Sequence, residues 1–127
     1  MDIEEIARIT VDCGFHLHKN LGPGLLGSVY EAIMADQLAR RGLHVQRQAP
    51  IAIHYDGIEL PEGFRADLLV EDRLLIELKS VERLSPLHGK QVLTYLRLLD
   101  LPLGLLINFG GETFKEGVKR IANNHRS

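Results

Sequence analysis

Ile3, Ile6, Ala7, Thr10, Cys13, Gly14 and Leu17 return at helical spacing, which predicts an amphipathic helix over residues 3–19. Asn20-Leu-Gly-Pro-Gly24 breaks it. A second helix is expected over about 26–41, stopped by Gly42 after a pair of arginines. The pattern then changes to strands: Val45–Tyr55, the turn signal Asp56-Gly57, and a short strand near Ile58–Leu60. Phe64–Lys79 reads as two further apolar strands around a tight turn centred on Asp72. Ser85-Pro86 is a strong helix start, with serine as cap and proline at the first position, and that helix runs to about Leu99. Leu103–Phe109 is a buried strand, Gly110-Gly111 a turn, and residues 113–123 a last helix with Phe114, Val118 and Ile121 on one face. This order gives an α/β sandwich around a mixed sheet. The helix over 86–99 acts as a crossover, so strand 103–109 lies parallel beside the hairpin.

Composition narrows the setting. A chain of 127 residues, 45% hydrophobic and 25% charged, is expected to form one soluble domain over 1–127 with a real core. No apolar run approaches a membrane span, and Met-Asp-Ile-Glu-Glu lacks the basic and apolar regions of a signal peptide. Cys13 is the only cysteine, which excludes an intrachain disulfide and a zinc cluster of the multi-cysteine type. A cytoplasmic location fits best. The net charge of −2 gives no general support for nucleic-acid binding. Acidic metal ligands can nevertheless offset a local basic surface, and Arg65, Arg73, Arg83, Lys90, Arg97, Lys115, Lys119 and Arg120 are candidate phosphate contacts.

Three charged residues stand out because their surroundings are so apolar. Asp67 lies in the first hairpin strand, and Glu77 and Lys79 lie in the second. Charges inside such segments are costly unless they pair or bind a metal. A turn centred on Asp72 sets Asp67 opposite Glu77, with Cβ atoms about 4.5–5.5 Å apart on one face. Lys79 shares that face, and Ile76 and Leu78 point the other way. Asp67, Glu77 and the Leu78 carbonyl would then offer hard oxygen ligands to Mg²⁺ or Mn²⁺, and Lys79 would lie beside the water or phosphate being handled. On the hairpin alone, a same-face ion pair on a half-exposed sheet explains the three charges equally well.

The wider sequence tips the balance. An Asp followed by Glu-x-Lys, framed by helices, resembles the PD-(D/E)XK nuclease superfamily. Leu21-Gly-Pro-Gly-Leu-Leu-Gly-Ser-Val-Tyr-Glu31, Arg65-Ala-Asp67, Glu77-Leu-Lys79, His88-x-x-Gln91-x-x-x-Tyr95 and Leu106-Ile-Asn-Phe-Gly110 together resemble its GxxExxY protein family. The resemblance implies a restriction-endonuclease-like core, a mixed sheet of about four or five strands flanked by helices. It also implies a Mg²⁺- or Mn²⁺-dependent nuclease that leaves a 5′-phosphate and a 3′-hydroxyl, with DNA the expected substrate. Asp67 and Glu77 would be metal ligands, Lys79 the catalytic lysine, and Glu31 the helical acid that completes such sites. Gln91 and Tyr95 would match the Gln-x-x-x-Tyr element that positions the strand. A domain of this size can dimerise to address both strands, an arrangement no residue here specifies.

Plainer readings exist for several of these residues. Ser28-Val-Tyr-Glu31 also reads as a capping box, Gln91 as a surface residue, and Tyr95 as core with its hydroxyl at the rim. His88 reads as a first-turn surface residue, and His16 and His18 are a poor metal pair. The chain also departs from the family pattern, because Gly24-x-x-Gly27-x-x-Tyr30 has glycine where the glutamate is expected. That departure supports a second reading: a weakened or inactive nuclease-fold module that binds nucleic acid or a protein partner.

Overall fold

The computed structural model describes residues 1–124. Helix α1 (Ile3–Leu21) begins where the Asp2 side chain accepts from Glu5 N–H at 2.9 Å. Glu4 and Glu5 lie in its first turn and Lys19 in its last, each complementing the helix dipole. It ends at Gly22, whose φ of 71° suits glycine and whose N–H reaches the His18 carbonyl. Helix α2 (Gly27–Arg40) follows, and the Tyr30 hydroxyl closes the intervening loop by donating to the Gly22 carbonyl at 2.6 Å and accepting from Leu25 N–H.

The five strands are β1 (Val45–Tyr55), β2 (Ile58–Val70), β3 (Leu74–Lys79), β4 (Leu103–Asn108) and β5 (Val118–Ala122). They form one sheet in that order. β1, β2 and β3 are antiparallel neighbours; β3 and β4 are parallel, joined by α3 (Pro86–Leu99); β5 returns antiparallel to β4. The parallel pair joined by a crossover helix is as the sequence predicts. So is the hairpin register: Val70 pairs with Leu74 and Leu68 with Ile76. Glu71 and Asp72 both take φ of 54°, and Arg73 N–H closes the turn on Val70. Two left-handed residues give a turn whose twist matches the strands it joins.

The sheet separates two apolar layers. Leu68, Val70, Leu74, Ile76 and Leu78 pack with Ile6, Tyr30, Met34 and Leu38 of α1 and α2. Leu75, Ala66 and Leu106 pack with Val92, Tyr95 and Leu96 of α3. Tyr30 stacks on Phe109 with ring centroids 4.4 Å apart. Cys13 is buried in the first layer, which pushes its thiol pKa up, as expected of a core cysteine. At the sheet's end Asn108 acts as a clip. Its Oδ1 accepts from Val81 N–H and Gly110 N–H, both at 3.0 Å, and its Nδ2 donates to the Val81 carbonyl at 2.8 Å.

Two sequence-based expectations are corrected. Residues 113–123 do not form a helix; a 3₁₀ turn over Lys115–Gly117 leads into β5. The spacing of Phe114, Val118 and Ile121 looked helical, but Val118 packs with the α1–α2 layer and Ile121 with the α3 layer. Odd spacing in a strand sends side chains to opposite faces. Gly117 also lies so close to the Asn108 carbonyl that any Cβ would collide with it. Second, Ile58–Leu60 is not a separate short strand but the start of a 13-residue one. Pro61 and Gly63 do not end it. They lie where the register slips against Ile51 and Ile53, and Gly63 leaves room for the Ile53 side chain.

Gly117→Ala tests the first correction by its sign. In a helix this change would stabilise by about 1 kcal/mol. Against the Asn108 backbone it is expected to destabilise by roughly 1–3 kcal/mol, measured by denaturant unfolding.

Candidate active site

β2 and β3 part company one residue beyond their last backbone pair. Extending the register places Asp67 opposite Glu77, but side chains replace the ladder there. The Glu77 carboxylate accepts from Asp67 N–H at 3.0 Å, and the Asp67 carboxylate accepts from Leu78 N–H at 2.8 Å. Each acid thus holds the other's strand. The N–H and C=O of one residue in an extended strand lie on the same edge, so the Leu78 carbonyl also faces this gap. Glu77 is only 4% exposed, on the α3 side of the sheet opposite Ile76 and Leu78, and Lys79 alternates onto the same side.

Glu31 approaches from α2. It is 6% exposed, and its Oε2 accepts from the Arg47 guanidinium at 3.0 and 3.1 Å. Its Oε1 accepts from Gln48 Nε2, which also reaches Asp67 Oδ1 at 3.4 Å. Glu31 therefore does not cap its own helix; the N-cap of α2 is Leu26, and no side chain caps it. Gly27 opens the helix toward empty space, and a Cβ there would meet nothing within 4 Å. From the other side α3 contributes Tyr95, stacked on Phe64 with centroids 3.9 Å apart. Gln91 is exposed on the same helix.

The electrostatics are those of too much negative charge in too little water. Burial first, and then the Asp67 charge, push the Glu77 carboxyl up to about 7. Burial and then Glu31 raise Asp67, against the opposing pull of Leu78 N–H, Gln48 and Lys79. Tyr95 is raised by burial and then by Glu77 and Asp67, which ties its hydroxyl to the same field. Lys79 lowers both carboxyls from a distance, yet among the described residues it closes no direct ion pair. Its ammonium is not consumed by the site.

Other candidates have structural occupations. His88 Nδ1 accepts from Ser85 N–H at the start of α3, His18 bonds the Gly111 carbonyl at 2.9 Å, and His16 lies 3.3 Å from Asp12. Arg65 pairs with Glu62, Arg73 donates to the Met1 carbonyl and Arg120 pairs with Glu4. Sequence reasoning missed Arg47 and Gln48, whose polar side chains on an alternating strand look like ordinary solvent-facing residues.

The raised Glu77 carboxyl has a consequence for stability. The folded protein holds a proton from the ordinary value of 4.5 up to about 7, and the unfolded chain does not. The stabilisation is full below pH 4.5 and is lost as pH rises through 7. In EDTA, wild type should lose on the order of 2 kcal/mol relative to Glu77→Gln across that interval. Denaturant melts of both proteins at pH 4.5, 6 and 8 measure it, and a constant difference would contradict the assignment.

A family model described as PD-(D/E)XK nuclease superfamily matches residues 4–121. No curated protein and no solved structure matches the chain. The matched span takes in both helical layers, all but the last residue of the sheet, and every residue of the acidic site. The chain belongs to the PD-(D/E)XK nuclease superfamily.

Proposed function

We propose that the protein is a divalent-metal-dependent nuclease that hydrolyses phosphodiester bonds in DNA, a member of the GxxExxY group within its superfamily. The observation that carries this reading is the reciprocal Asp67–Glu77 arrangement, with an uncommitted Lys79 beside it. A purely structural ion pair would bring the lysine into contact with a carboxylate. Here the two acids are instead pressed together, with Glu31 adding to the charge.

The donor set suits a hard cation. Asp67, Glu77 and the Leu78 carbonyl are all oxygen ligands, the kind Mg²⁺ and Mn²⁺ prefer. Among the described residues no three or more acidic, histidine or cysteine side chains close around a point, so waters would complete the shell, as is usual for Mg²⁺. When bound, the cation offsets charge on the phosphate and lowers the pKa of water. Glu77 must give up its proton to bind, so binding strengthens as pH rises through 7. Lys79 orients the attacking water or a phosphate oxygen. Glu31, with both oxygens already engaged, acts on the site through water. Gln91 and Tyr95, four residues apart on α3, would contact the strand.

The second reading, a nuclease-fold module that binds without cutting, rests on Gly27. Open space at that position means crowding does not account for the missing acid.

Thermal melts with Mn²⁺ and nuclease assays separate the two. Free Mn²⁺ at one hundred times its Kd should stabilise wild type by about 2.7 kcal/mol, and Asp67→Ala should abolish the rise. Cleavage of single-stranded, duplex and branched DNA and of RNA should fall about 100-fold or more in Lys79→Ala. Mn²⁺ binding with no cleavage of any substrate would favour the module. Undiminished cleavage by Lys79→Ala would defeat the proposed role of that residue.

A further inference from the structure

Gln48 has an unusual backbone. Among the described residues the other non-glycine positions with positive φ are Asp56, Glu71, Asp72 and Asp100, all in hairpin turns or at a helix end. Gln48 lies inside β1 with φ of 51°. A side chain with a Cβ is disfavoured there, and a strand interior normally excludes it. The surrounding pairs are undisturbed, with Arg47 opposite Leu68 and Ala49 opposite Ala66. Between Val45 and Ile51 only the Gln48–Asp67 position drops out of the ladder. Across it both strands change faces: Val45, Leu68 and Val70 pack toward α1 and α2, whereas Ala49, Ile51, Phe64 and Ala66 pack toward α3.

The strained residue is also the one that touches two acids. Gln48 Nε2 donates to Glu31 Oε1 and lies 3.4 Å from Asp67 Oδ1. One amide nitrogen has two hydrogens, enough for both carboxylates. Turning the amide over would aim its carbonyl oxygen at two anions, so the network settles which end faces inward. A lysine or arginine here would bridge equally well but would cancel the negative charge that a divalent cation needs. A neutral donor holds the acids without discharging them.

We infer that Gln48 is a positioning residue, its amide spanning Glu31 of α2 and Asp67 of β2 and fixing their separation around the candidate metal site. This rests on the reading of Asp67 as a cation ligand. The fold itself does not need the bridge. Without it Glu31 keeps Arg47, and Asp67 keeps Leu78 N–H.

That independence provides the test. Gln48→Gly accepts the positive φ without strain and removes the amide. Gln48→Asn tolerates the same backbone but is one methylene short. Both, with wild type and Asp67→Ala, are melted in EDTA and titrated with Mn²⁺ while electron paramagnetic resonance follows the free ion. The melting point of Gln48→Gly should be unchanged or raised, and both Gln48 variants should bind Mn²⁺ about 10–100-fold more weakly. A lowered metal-free melting point in Gln48→Gly, or unchanged Mn²⁺ affinity in it, overturns the inference while leaving the cation site standing. Wild type that binds no Mn²⁺, or Asp67→Ala that binds it normally, removes the cation site and the inference with it.

Discussion

Backbone hydrogen bonding between β2 and β3 stops at Leu68 and Ile76, and two carboxylates continue it. Everything else about the site follows from that substitution. A strand edge needs its N–H groups satisfied, and here Asp67 and Leu78 are satisfied by side chains rather than carbonyls. The strands can therefore separate without leaving buried donors unpaired. The gap exists because the acids hold it open, and the acids stay in place because the backbone on each side holds them. Neither could be replaced by an apolar residue of similar size without leaving an amide unsatisfied, which costs roughly 1–3 kcal/mol.

The arrangement leaves a charge problem that the surrounding layers only partly solve. Arg47 neutralises Glu31 at the α2 side, and Lys79 acts on the pair without touching it. Burial first, and then the Asp67 charge, raise the Glu77 carboxyl to about 7, so a proton can take up the remainder. On the proposed reading, a divalent cation would answer the same electrostatic demand as that proton. Competition between them is a physical basis for coupling such a site to pH.

How legible this was in the sequence depended on whether the signal was local. Asp72 at the centre of a short loop, with apolar strands on either side, was enough to place Asp67 across from Glu77. Ser85-Pro86 marked the start of α3 for similarly local reasons. β5 was misread because Phe114, Val118 and Ile121 fit a helix when only one packing face is considered, whereas an edge strand between two helical layers packs against both. Ile58–Leu60 read as a short strand of its own, and pairing with β1 carries it on through Pro61 and Gly63, which form an irregularity within a longer strand. Gln48 carried no signal at all. Glutamine has no preference for positive φ, and its role arises from two partners 17 residues before it and 19 after.

Asn108 has a consequence of its own. By binding both the N–H and the carbonyl of Val81, it imitates one more residue of a neighbouring strand just past Lys79. The chain leaving the lysine is thus moored along one edge by two hydrogen bonds before any ligand arrives. The backbone there has little conformational freedom left to lose, so on the proposed reading a phosphate would meet an ammonium whose supporting chain is already fixed.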